Sequence, residues 1–72
     1  MKIISTTDLS REGNDCYIHE SVSLVEEFGM YTVITCQRIT GWHDIREFCL
    51  RSKPTLDIED AKHTYWEYGG KL

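Results

Sequence analysis

Two runs of alternating residues meet at a two-residue turn in the middle of this chain, and no other feature narrows the fold so much. "CYIHESVSLVE" (residues 16–26) sets Ile18, Val22 and Leu24 at even positions, with His19, Ser21 and Ser23 between them. Period-two alternation describes a strand with one face buried and the other in water. "MYTVITCQRI" (residues 30–39) is rich in β-branched side chains, and Gly29 is the residue able to take the positive φ of a tight hairpin turn. With a two-residue turn at Phe28-Gly29, Leu24 faces Val33, Val22 faces Thr35 and Ile18 faces Ile39.

The pattern continues on both sides. "TGWHD" is a turn and "IREFCL" (45–50) the strand after it. A four-residue turn at Gly41 to Asp44 sets Ile39 opposite Arg46, Gln37 opposite Phe48 and Thr35 opposite Leu50. One face then collects Ile18, Val22, Leu24, Tyr31, Val33, Ile39, Phe48 and Leu50, while His19, Ser21, Ser23, Thr32, Cys36, Arg38, Glu47 and Cys49 share the other. A slip of one residue in either turn would scatter the apolar set over both faces. "MKIIST" supplies a short first strand over residues 2–6, and Gly13-Asn14-Asp15 closes the following "DLSREGND" as a turn.

"RSKPT" ends the strand pattern, because Pro54 cannot donate to a ladder and disfavours helix at Lys53. "LDIEDAKHTYWEYGG" then reads as a helix over 57–68. Asp57 is its N-cap, and Leu56 is placed to staple against Ala61. Glu59 and Asp60 suit the positive end of the dipole, and Gly69-Gly70 supply the stop. Ile58, Ala61, Tyr65 and Tyr68 form one apolar stripe, which should cover the apolar face of the sheet. The expected fold is a small two-layer α+β domain spanning residues 1–72, an antiparallel β-meander of three to four strands with one C-terminal α-helix packed on one face.

Seventy-two residues build a thin domain, which buries only about 60% of its unfolded surface. The net charge of −4 argues against direct nucleic-acid binding, which needs a clustered basic face. No apolar run is long enough for a signal peptide or a membrane span. Three cysteines without an export signal predict free thiols in a reducing cytoplasm, that of a bacterial host.

"CQRITGWHDIREFC" (36–49) is the stretch in which chemistry has to be sought. The register puts Cys36 across from Cys49 and Arg38 across from Glu47. Zinc sites use close pairs such as C-x₂₋₄-C, and the one close pair, Cys16 and His19, points to opposite faces of a strand. His19, Cys36 and Cys49 share a face, which keeps a zinc- or thiol-dependent site around Cys36 and Cys49 as an alternative. His43 beside Asp44 sits in a hairpin tip, where no scaffold holds a base against a nucleophile. A domain this thin has little room for a pocket of about 300 Å³ or more. The expectation is a protein that is not an enzyme and needs no cofactor.

Binding surface is what remains. Glu20, Glu26 and Glu27 crowd the first hairpin; Glu59, Asp60 and Glu67 mark the helix; Trp42 and Trp66 are the aromatic candidates for contact with a partner. The expected role is an acidic protein-binding module that blocks a nucleic-acid-binding host protein. In size and charge the chain is similar to the small acidic inhibitors of phages and mobile elements, anti-CRISPR proteins among them, although no motif is shared. The alternative is a homodimer with a structural or regulatory role, motivated by the marginal core, by Val25, Met30, Ile34 and Ile45 on the second face, and by exposed edge strands.

Overall fold

A computed structural model describes residues 1–71. Its centre is the hairpin of β3 (Cys16–Glu27) and β4 (Met30–Gly41), joined by Phe28-Gly29. The register matches the alternation: Leu24 pairs with Val33, Val22 with Thr35 and Ile18 with Ile39. β5 (Ile45–Arg51) pairs antiparallel with β4, setting Ile39 against Arg46, Gln37 against Phe48, Thr35 against Leu50 and Cys36 against Cys49. Both turn lengths are therefore as the hydrophobic pattern requires.

On the other side of β3 the chain departs from the sequence reading. β1 (Lys2–Asp8) pairs with the second half of β3, shifting register between Ile3 and Ser5. "DLSREGND" is not all loop: β2 (Arg11–Gly13) pairs with the first half of β3. Leu9 N–H still bonds Glu20 O at 2.7 Å, so β1 and β2 form one interrupted edge of a five-stranded antiparallel sheet ordered β1-β3-β4-β5. The short polar segment lacks the apolar alternation of a strand, and it is held by backbone pairing with its neighbour rather than by burial.

After Pro54 the chain makes a single bridge, Thr55 to Tyr31, and enters α1 (Ile58–Glu67). Asp57 caps it, its carboxylate accepting from Glu59 N–H at 2.9 Å. The exit is a Schellman turn: Gly69 stands at φ +96° and donates to Trp66 O, while Gly70 donates to Tyr65 O. Gly70 is itself buried against the Tyr65 ring, which a Cβ at that position would overlap. The staple at Leu56 does not form. Leu56 is 76% exposed, and Ala61 packs into the core without it.

The core under α1 consists of Val22, Leu24, Val33, Ala61 and Tyr65, with Leu9 and Tyr31 packed against it; Val25, on the second face, is buried as well rather than open to a partner. The Tyr65 hydroxyl reaches across the sheet to bond Thr7 Oγ1 at 2.6 Å and Ser5 Oγ at 3.2 Å, tying the helix to the β1 edge. The helix covers only part of the apolar face. Ten residues of helix span about 15 Å, whereas twelve-residue strands run close to 40 Å. Ile18 and Ile39 are accordingly half-buried, and Phe48 and Leu50 stay 50% and 64% exposed on a face expected to be covered. The molecule is elongated, 42 × 20 × 16 Å. Among the described residues, no helix is long and apolar enough to cross a membrane.

Candidate protein-binding site at the hairpin end

The β3–β4 turn places both of its central residues in the left-handed region, Phe28 at φ +55° and Gly29 at φ +75°. This is the sign pattern of a type I′ turn, which follows the right-handed twist of the strands and favours Asn-Gly or Gly-Gly. Glycine takes that conformation without penalty; a bulky aromatic residue does so at a cost of about 1–2 kcal/mol. Phe28 gains nothing within the fold in return, since it is 96% exposed.

Carboxylates lie at this end of the sheet because β3 ends and α1 begins there. Glu26 and Glu27 close β3, with Glu27 opposite Met30. The Thr55–Tyr31 bridge brings the start of α1 to the same end, and with it Asp57, Glu59 and Asp60. Leu56 adds a second exposed apolar side chain there. The acidity is partly compensated: Glu27 meets Arg51 at 3.5 Å, Glu59 meets Lys62 at 3.5 Å, and Glu26 pairs in the ladder with Lys2.

Four of the eight residues singled out from the sequence thus gather at one end: Glu26, Glu27, Glu59 and Asp60. The others lie elsewhere. Glu20 is mid-strand and occupied within the chain, accepting from Arg11 at 3.0 Å and from Gln37 Nε2 at 2.7 Å. Glu67 meets His63 one helical turn back at 3.0 Å. Trp66, 53% exposed, lies in the last turn of α1. Trp42, 82% exposed, follows the far end of β4, roughly 36 Å along the strand from the Phe28 turn. Phe28 itself was not among the candidates, although its signal was in the sequence: an aromatic residue where a two-residue turn calls for Asn or Gly.

Two clefts lie on the flanks of the sheet, where the thinness of the domain was expected to leave little room for a pocket of about 300 Å³ or more. One of about 320 Å³ opens beside the C-terminal end of α1, between Leu9, Gln37, Phe48, Leu50 and Tyr68. The other, of about 390 Å³, lies on the opposite face among Asp8, His19, Arg38 and Glu47. The first exists because the helix stops short of the sheet's length; the second lies on the face that the helix does not cover. In the second, the Ser10 side chain and backbone N–H hold the Asp8 carboxyl below its ordinary value of 3.8, with a smaller contribution from His19.

Cys36 and Cys49 are joined as a disulfide, where free thiols were expected. Direct opposition in the ladder, with Cα atoms 4.1 Å apart, brings the two sulfurs together. Joined, they offer no thiolate to a metal or a substrate; Cys16 is the remaining free thiol. Among the described residues, no group of three or more His, Cys, Asp or Glu side chains converges as a metal site would require. Asp44, beside His43, is engaged by Arg46 at 3.3 Å in the exposed turn. A scan against protein-family models, a search of curated proteins and a search of solved structures each return no match.

Proposed function

We propose that this chain is a non-catalytic protein-binding module that presents Phe28 on an acidic hairpin end to its partner. The observation that carries the reading is the conformation and exposure of Phe28, an aromatic residue at φ +55° that is 96% exposed. Aromatic side chains surrounded by polar neighbours are favoured anchors of interfaces. Glu26, Glu27, Asp57, Glu59 and Asp60 around it select a partner whose pocket is rimmed by lysine and arginine. Basic grooves of that kind hold nucleic-acid phosphates. A small acidic plug seated there acts as an inhibitor by occupancy alone, which is the role of the phage-encoded blockers that this chain resembles in size and charge.

Replacing Phe28 with Asn tests the reading, because it separates folding from binding. Asn tolerates the left-handed region, so the variant should be as stable as the parent or more stable by up to about 1 kcal/mol. Immobilised parent, Phe28→Asn and Glu26→Lys/Asp60→Lys proteins are exposed to a bacterial lysate, and recovered proteins are quantified by mass spectrometry. A basic protein recovered by the parent, lost from both variants and displaced by added nucleic acid supports the proposal. Recovery that is equal across all three proteins rejects it.

A further inference from the structure

The two edges of the sheet are not equivalent. The β1–β2 edge is broken by a register shift between Ile3 and Ser5 and interrupted between Asp8 and Arg11, features that discourage pairing with another strand. β5 has no such protection. It is seven residues long, regular in register from Ile45 to Arg51, without proline or glycine, and exposed at every position.

Backbone directions along β5 follow from its ladder. Gly41 N–H bonds Asp44 O at 2.8 Å and Ser52 N–H bonds Val33 O at 2.8 Å. Counting in alternation between these pairs, the even residues Arg46, Phe48 and Leu50 direct their N–H and C=O groups to β4. Ile45, Glu47, Cys49 and Arg51 therefore direct theirs to the open edge, and the short Cα separation of Cys36 and Cys49 is that of the non-hydrogen-bonded pair this requires.

We infer that β5 is the interface for a second copy of this chain, paired antiparallel about a two-fold axis through Cys49. A two-fold axis normal to a continuous sheet pairs residues of like parity, so the self-pairing residue is Glu47, Phe48 or Cys49 near the middle of the strand. Centring on Glu47 sets two carboxylates together. Centring on Phe48 sets Ile45 against Arg51 and Arg46 against Leu50, with no opposite charges in register. Centring on Cys49 places Glu47 of each copy opposite Arg51 of the other, and Phe48 opposite Leu50 on the face that α1 leaves open. It also closes two backbone hydrogen bonds across each outward-facing pair. All three registers pair the outward-facing backbone groups, and charge and apolar matching select the one centred on Cys49. Phe28 and the first turn of α1 lie on other elements; the hairpin end meets β5 through the Arg51–Glu27 ion pair.

Sedimentation of the oxidised full chain across the micromolar to millimolar range tests the inference. The expected result is a monomer–dimer equilibrium, with isotope-filtered NOEs between the Phe48 ring of one copy and the Leu50 methyls of the other. Glu47→Pro removes an N–H that faces outward and serves no intrachain ladder bond, so it should leave the circular dichroism unchanged and weaken dimerisation at least tenfold. Glu47→Arg, which sets two arginines together, should do the same. A parent chain that stays monomeric to millimolar concentration overturns the inference, as does a dimer whose intermolecular NOEs lack the Phe48–Leu50 contact or lie away from β5. Dimerisation unchanged in both variants overturns it too.

Discussion

Phe28 and Gly70 show how much a single backbone position can demand. At Phe28 the chain keeps an aromatic residue in a conformation suited to Asn or Gly, with no packing in return. At Gly70 the demand is steric: the Tyr65 ring, the largest fully buried side chain, lies where a Cβ would be. Gly70→Ala must push that ring off its hydrogen bonds with Thr7 and Ser5, and it should destabilise the domain by about 1–3 kcal/mol in urea unfolding. The two glycines after the helix are legible as a stop signal, but which of them is sterically constrained is not. That depends on where Tyr65 points, and its rotamer is decided by packing against a sheet distant in sequence.

At the scale of elements, β5 is held by less than its ladder suggests. All seven of its residues are exposed, and its attachments are the pairing with β4, the Arg51–Glu27 ion pair and the Cys36–Cys49 disulfide. Closing the loop between residues 36 and 49 restricts the unfolded chain, and loops of about this length are worth about 3 kcal/mol. Reduction, or the Cys36→Ser/Cys49→Ser variant, should lower unfolding free energy by about 2–4 kcal/mol, read by urea titration. Hydrogen exchange should show Phe48 and Leu50 amides, which bond β4 across this edge, losing protection before those of Ser23 and Ile34 in the central hairpin. Thiol titration of protein taken directly from its source will decide which form operates there, since a reducing compartment keeps the pair as thiols and an oxidising one keeps the bridge. The opposition of the two cysteines could be read from the turn lengths, whereas the bond itself depended on how closely β4 and β5 approach.

Across the whole molecule, six buried apolar residues among those described support a structure 42 Å long. At the usual stability per residue, 72 residues provide roughly 4–11 kcal/mol in total. Leu24 is fully buried between the sheet and α1, and Leu24→Ala should cost about 2–5 kcal/mol. That is a large fraction of the whole, so a thermal melt of this variant should show a broad transition far below that of the parent. The same arithmetic bears on the open half of the sheet. Phe48, Leu50 and Tyr68 leave apolar area in water that a second copy along β5 would partly cover, giving a marginal domain a source of stability beyond its own core.

The identity and mutual register of β3, β4 and β5 and the two caps of the helix were determined by the sequence alone, because alternation and turn chemistry act over a few residues. Leu24 faces Val33, and Asp57 and Gly69 bound the helix, wherever the rest of the chain goes. Tertiary structure decided what depends on lengths and distant partners. Ten helical residues cannot span twelve-residue strands, so Phe48 and Leu50 stay open. β2 exists because β3 outruns β1 and leaves ladder groups to be paired. The carboxylates of residues 26–27 and 57–60 share one end because a single bridge at Thr55 returns the chain to Tyr31. Hydrophobic periodicity specifies which side of an element is buried; only the packed molecule specifies how much of it.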